Sequence, residues 1–435
     1  MDTCQTSSAN AVARLWPMAL ACACLVGMSA ARPARAADSE LLADPSSAIG
    51  DELGFALDFD VSRVVAGSPG RDGAKGAVEL FDCSGVPCAS PLRIAAADGA
   101  SGDRFGASLA LDADTLVVAA PGRIPAAVYV FARSGGSWVQ QARIDAPAGP
   151  SSGGFGVALD VRGDRLVVGA DRADDDAGAV YVFARNGTAW SLEARLVAED
   201  AEAGDRLGRA LALHEDAFVA GAPFEAGDAA GGYARGAIYL FQQLQSQWSQ
   251  GPKFVASAAA DGDLLGFSVA FDGQAIVAGA PMADARVGAT LVFMQAGSVW
   301  SQRARLSPPA GVPGDRFGWA VALAPDAEVL VGAPYALDGC GAATLYARVG
   351  VGWHPTSRAA LDAPLAETMA GWAVAVSNQR LAVAAPGHAS ALEHRGGVHL
   401  FGGGDAVFRD GFEPDTAILA CEGTKRSAIA GEPRR

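Results

Sequence analysis

The sequence predicts an all-β fold in which seven copies of one four-stranded unit close into a ring. Three observations predict it. A phrase such as GDRFG recurs with its last glycine at Gly54, Gly106, Gly156, Gly208, Gly266, Gly318 and Gly371, spaced by 52, 50, 52, 58, 52 and 53 residues, and a period of this size belongs to circular or stacked repeats. Each unit holds four short segments rich in Val, Ile, Phe and Tyr, bounded by Gly, Pro, Asp or Asn, with no ten-residue stretch of helical period. The chain ends complement each other, because the seventh unit stops at Phe401 without a fourth segment and the residues before the first unit read like one.

The first segment of each unit alternates in polarity, as in FGASLAL and FGWAVAL. The second is apolar at nearly every position (VVAGSP, VVAAP, VVGAD, FVAGAP, IVAGAP, VLVGAP, AVAAP), so both of its faces are expected to be covered. Its Gly and Ala suit a close approach of backbones, and the Pro, which has no N–H for the ladder, ends the strand. The third reads GAVELF, AAVYVF, GAVYVF, GAIYLF, GATLVF, GAATLY or GGVHLF; the fourth carries Trp138, Trp190, Trp248, Trp300 or Trp353 ahead of a segment like QQARI or SLEARL. Four antiparallel strands packed between two neighbours make a propeller blade. At the N-terminal end, DSELLADPSSAIGD aligns without gaps on ARLVAEDAEAGD, placing Leu42 in the column of Ile94, Leu196, Phe254 and Leu306. Residues 39–44 are therefore expected to supply the fourth strand of the seventh blade.

These motifs resemble the FG-GAP repeat, the unit of the integrin α-subunit propeller and of many exported bacterial proteins. The likeness covers about residues 39–403 and implies a seven-bladed β-propeller; it says far less about function, since propellers host unrelated activities. In the resembling integrin heads the connections from second to third strand and from fourth to next first strand form the ligand face. Many family members carry a D-x-D-x-D-G calcium loop between the first two strands. Here those turns read DFDVSR, LDADTL, DVRGDRL, LHEDAF, FDGQAI, APDAEV and VSNQRL. Asp58 with Asp60, and Asp112 with Asp114, offer two ligands each, short of the six to eight oxygens calcium takes, so no cofactor is expected.

Residues 1–36 read as a secretory signal, with Arg14, a short apolar run and an Ala34-Arg35-Ala36 cleavage site. Residues 37–403 form the propeller and 404–435, with FRDGFEPD, a tail beyond it. The run is shorter than the ~20 residues of a spanning helix. No transmembrane segment is expected, and the protein is placed in the periplasm, on the cell surface or outside the cell. The whole chain carries a formal charge of −15, and without the signal 30 basic side chains face 47 acidic ones, which argues against nucleic acid and anionic lipid as partners. Cys83 and Cys88, in FDCSGVPCAS, are expected to close a hairpin loop; the pairing of Cys340 with Cys421 is left open.

Several candidate residues stand out. Arg162-Gly163-Asp164 and Asn186-Gly187-Thr188 spell recognition and glycosylation tripeptides, but both read as hairpin turns. Asp171, Asp174, Asp175 and Asp176 form an acidic loop, in which Asp171, Asp174 and Asp176 are the candidate metal ligands. The recurring Asp51, Asp103, Asp205, Asp263 and Asp315 are expected to bond local N–H groups in one turn per blade, and the five fourth-strand Trp to shield blade edges. The five His follow no ligand or triad spacing, and no nucleophile or phosphate motif occurs. The expectation is a monomeric, non-catalytic binding scaffold for a cell-surface protein partner, with a carbohydrate-binding propeller as the alternative and an enzyme with its site at the central channel as the third reading. The longest variable connection, Phe224 to Arg235, puts Phe224, Tyr233 and Arg235 forward as ligand contacts.

Overall fold

The computed structural model describes residues 39–402 except 150–151, 227–233, 259, 325–327, 360–367, 378–379 and 388–394. Its strands form seven sheets, each of four antiparallel strands. Blade one uses Leu57–Asp60, Arg63–Ser68, Ala77–Asp82 and Leu92–Ile94. Blades two to six repeat this order, and each first strand contacts the first strand of the next blade, with blade seven returning to blade one. The ring closes as the ends of the sequence predict: Glu40–Leu42 pairs with Gly397–Phe401 and completes blade seven, with Leu42 opposite Val398. Leu42 is buried, and occupies the same place that Leu306 takes opposite Thr290 in blade five.

The second strands are buried along their whole length in blades two and five, Thr115–Ala120 and Ala275–Ala280, which explains why they lack alternation. Hydrophobic clusters form in the seams between blades; Val117 and Val130 of blade two, for example, pack with Phe155, Leu166 and Tyr181 of blade three. The residue before each recurring glycine is core: Leu53, Phe105, Phe155, Leu207, Leu265, Phe317 and Ala370 are at most 1% exposed. In the turn ahead of it, the carboxylates of Asp51, Asp103, Asp205, Asp263 and Asp315 accept from the backbone N–H three residues earlier, at 2.8–3.0 Å. One Asp per turn is thus structural.

The fourth-strand tryptophans shield the seams. Trp138, Trp190, Trp248 and Trp300 pack half-buried on the core clusters, and Trp353 is buried within one. An arginine lies over the rings of Trp138, Trp190, Trp248 and Trp353, at 5.1–5.8 Å from the centroid. Cys83 and Cys88 form the expected disulfide. Cys340 is buried, while Cys421, like residues 1–36 and 404–435 as a whole, lies outside the described residues.

Candidate functional site

The seven first strands surround a central channel of about 500 Å³, lined from Leu57–Val61 of blade one round to Val374–Ser377 of blade seven. Four residues after the recurring glycine, the lining column reads Asp58, Ala110, Asp160, Ala212, Ala270, Ala322 and Ala375. The two acids each bind the next blade. Asp58 accepts from the N–H groups of Leu111 and Phe59, both at 2.7 Å, and Asp160 from Leu213 at 2.7 Å and Val161 at 2.8 Å. Burial pushes the carboxyl of Asp160 up to about 7 and also raises that of Asp58. With both oxygens of each group spent on backbone amides, this pair braces the ring.

The mouth of the channel is different. Strand direction puts it on the face that carries the second-to-third and fourth-to-first connections. One residue after each recurring glycine the sequence reads Phe55, Ala107, Val157, Arg209, Phe267, Trp319 and Trp372, so the aromatic side chains fall on four consecutive blades: five, six, seven and one. Their rings meet across the seams. Centroids of Phe267 and Trp319 are 4.6 Å apart, of Trp319 and Trp372 5.1 Å, and of Trp372 and Phe55 5.7 Å, with planes tilted by 45–47°. Tyr335 adds an edge contact to Trp319 at 5.7 Å. All five are half-buried, leaving ring surface open.

Arginines flank this arc. Arg209 lies 5.0 Å from the Phe267 centroid at one end and Arg104 5.5 Å from Phe55 at the other, while Arg316 sits 5.6 Å from Trp319 and 4.3 Å from Tyr335. Arg104 is paired with Glu52 at 3.2 Å. Among the described residues no carboxylate lies within ion-pair distance of Arg209 or Arg316. Burial lowers the pKa of Arg209, and Arg206 and Arg172 push it the same way against the charge of Asp171.

The residues put forward from sequence fall partly on this surface. Phe224 stands where Tyr335 stands in blade six, directly after the Ala-Pro of the second strand, and is 36% exposed with Arg206 at 4.9 Å from its centroid. Arg235 is engaged by Asp261 at 2.8 Å, and Tyr233 lies outside the described residues. The three acids proposed as metal ligands face different partners: Asp171 is buried among Arg209, Arg172 and Arg206, Asp174 pairs with Arg195, and Asp176 lies 3.9 Å from Arg206. Among the described residues no group of three His, Cys, Asp or Glu could hold a metal ion. The two-acid turns are likewise spent on cations, with Asp60 at 2.9 Å and Asp114 at 3.2 Å from Arg63. Arg162-Gly163-Asp164 is a turn pinned on both sides, since the Gly163 N–H donates to Asp112 at 2.6 Å and Asp164 holds Arg185 at 2.7 Å. Asn186 likewise ends its strand at a hairpin turn.

The FG-GAP repeat family matches residues 92–131, 138–183, 190–241, 248–293 and 300–346, more than half of the chain. The chain belongs to the FG-GAP repeat family. Each match begins in or beside a fourth strand and ends in the third strand of the next blade, so the FG-GAP unit straddles a seam and includes both of its walls. No curated protein matches the chain. Among the described residues no helix is long and apolar enough to cross a membrane. The repeated Phe-Gly and Gly-Ala-Pro phrases account for the seams, whereas Phe55, Phe267, Trp319, Tyr335 and Trp372 stand at positions beside those phrases that do not repeat. Sequence reasoning passed over these five because it weighed what repeats. The signal for four of them was the position after each Phe-Gly phrase, which changes from unit to unit, and for Tyr335 the position after Ala-Pro.

Proposed function

We propose that this FG-GAP propeller is an exported, non-catalytic binding module that takes no cofactor and holds a cell-surface ligand against the channel mouth. One observation carries the reading: an aromatic arc on four consecutive blades, with ring surface open, on the face that bears the variable connections. The fourth-strand tryptophans are committed to sealing seams, so the arc is the aromatic surface left for a partner. Aromatic anchors backed by arginine dominate binding energy where they occur at recognition surfaces. Export follows from the signal read in residues 1–36 and fits the disulfide.

The test compares residues 37–435 with the Trp319→Ala/Trp372→Ala variant on a glycan array and a display of cell-surface proteins. Ligands of the wild type should lose at least ~10-fold in affinity in the variant, the loss of about 1.4 kcal/mol expected for one good anchor. A ligand that binds both proteins equally would remove the channel mouth from the reading.

A further inference from the structure

Resting on that reading of the channel mouth, we propose that the arc is a subsite for an acidic saccharide, whose pyranose rings stack on Trp319 and Trp372 while a carboxylate or sulfate is held by Arg316, with Arg209 as a second anion contact. Four features of the molecule lead there.

The first is the platform. Phe267, Trp319, Trp372 and Phe55 form an unbroken file of rings, each neighbour 4.6–5.7 Å away and tilted by 45–47°. Such a curved strip offers successive π faces, whose negative quadrupole attracts the weakly positive C–H face of a sugar ring. The second is the charge. In a chain with a formal net charge of −15, Arg209 and Arg316 have no carboxylate within ion-pair distance among the described residues. Burial lowers the pKa of Arg209 against the charge of Asp171, and Arg206 and Arg172 lower it further, so one buried carboxylate is shared by three guanidinium groups.

The third feature excludes a cationic ligand. Guanidinium groups of this chain already lie near Phe55, Phe267 and Trp319, at 5.0–5.6 Å from the ring centroids, so an incoming ammonium would meet like charge. Arg209 and Arg316, without a carboxylate in ion-pair distance among the described residues, call for an acceptor, and the planar fork of arginine matches a carboxylate or sulfate. The fourth is location: the arc stands at the start of the first strands, next to the end of the channel lining at Leu57, Val269, Val321 and Val374, where a few directed groups can fix a small polar ligand.

The experiment titrates residues 37–435 by calorimetry and tryptophan fluorescence with four probes: a galacturonic acid trimer, a sulfated galactose trimer, uncharged galactotriose and a triglutamate peptide. The expected result is binding of at least one acidic trimer, at least ~10-fold tighter than galactotriose and weakening with added salt. Arg316→Gln and Trp372→Leu should each lower that affinity at least ~10-fold while melting stays near wild type. Arg162→Gln, on the opposite face, should leave it unchanged. Equal binding of galactotriose would overturn the acidic component, and equal binding of triglutamate the saccharide. Absence of binding by both acidic trimers would overturn the inference outright, while the wider reading of the face would fall only if ligands recovered on the array or display ignored Trp319→Ala/Trp372→Ala.

Discussion

Gly67 and Gly106 meet back to back across the seam between blades one and two, where a Cβ on Gly67 would stand 2.0 Å from the Gly106 carbonyl oxygen. The same contact recurs from Gly279 to Gly318 at 1.9 Å, which is the physical reason that the Gly of Gly-Ala-Pro and the Gly of Phe-Gly are kept together. Gly67→Ala has to push two backbones apart in a close-packed seam, and the expected cost is about 3 kcal/mol, read as a lowered urea midpoint. A variant within 0.5 kcal/mol of wild type, measured the same way, would show that the seam yields. Where Ala119 replaces that glycine, the next first strand stands further off, with a Cβ on Gly156 meeting Ala119 Cβ at 2.9 Å. Glycines of this kind were legible in the sequence because five of the seven seams impose the same steric demand, at Gly67, Gly169, Gly221, Gly279 and Gly332. Phe267, Trp319, Trp372 and Phe55 were not, since no seam requires an aromatic there and blades two and three carry Ala107 and Val157 instead. Repetition exposes what holds a propeller together, and a binding surface lies in the columns that repetition leaves free. Phe224 was reached by the other route, connection length, and found one flank of the same face.

The connection from residue 43 to residue 51 joins the closing strand to blade one, and its packing rests on one buried cation. Arg71, in the second-to-third connection of blade one, lies 3.0 Å from Asp44, 3.3 Å from Asp51 and 3.2 Å from Glu79, and also donates to the Ser46 carbonyl at 3.1 Å. Three carboxylates around a single guanidinium cannot all ionise cheaply. Ser46 and Arg93 hold Asp44 down to about 2 against its burial, whereas burial pushes the fully covered Glu79 up to about 7. A carboxyl with a raised folded pKa binds its proton more tightly in the folded chain. Its contribution is therefore complete below its unfolded value of 4.5 and is lost as pH rises through about 7. Stability should fall by about 3 kcal/mol across that window and level off above it. Glu79→Gln keeps an acceptor for Arg71 and offers its amide N–H to the Ser68 hydroxyl, which donates to Glu79 in the wild type, so the variant should lose this slope and exceed wild type above pH 7. Urea unfolding at pH 5, 6, 7 and 8 checks it; a parallel pair of curves would mean that Glu79 is already ionised in the folded protein at pH 5. None of this was legible from sequence, where Arg71, Asp44 and Glu79 belong to three different segments and only ring closure brings them together.

Closure of the whole ring depends on a seam that differs from the other six, because its outer wall is a three-residue strand from the opposite end of the chain. Two features compensate. Leu42 enters a core with Phe59 and Phe81 of blade one and Val398 and Leu400 of blade seven. Outside it, the disulfide loop of blade one clasps blade seven: the Cys88 N–H donates to Glu40 of the closing strand, and Arg380 donates to the Cys83 carbonyl at 2.7 Å. The disulfide thus does more than tighten its own short loop, which by chain entropy is worth about 2 kcal/mol; it shapes the surface on which the last strand docks. Leu42→Ala should cost 2–4 kcal/mol through the cavity it leaves, and Cys83→Ser/Cys88→Ser about 2 kcal/mol. Two changes on one docking surface share their partners, so the combination should depart from additivity by more than about 0.5 kcal/mol. Leu306→Ala, at the matching place in blade five, provides the control and should add to the cysteine changes without coupling. If Leu42→Ala is also additive, the disulfide loop and the closing strand are independent and the clasp plays no part in holding the ring shut. If coupling appears for Leu42 alone, reduction of Cys83–Cys88 weakens closure specifically, and the channel mouth, framed by blades five, six, seven and one, is assembled only when that last seam is shut.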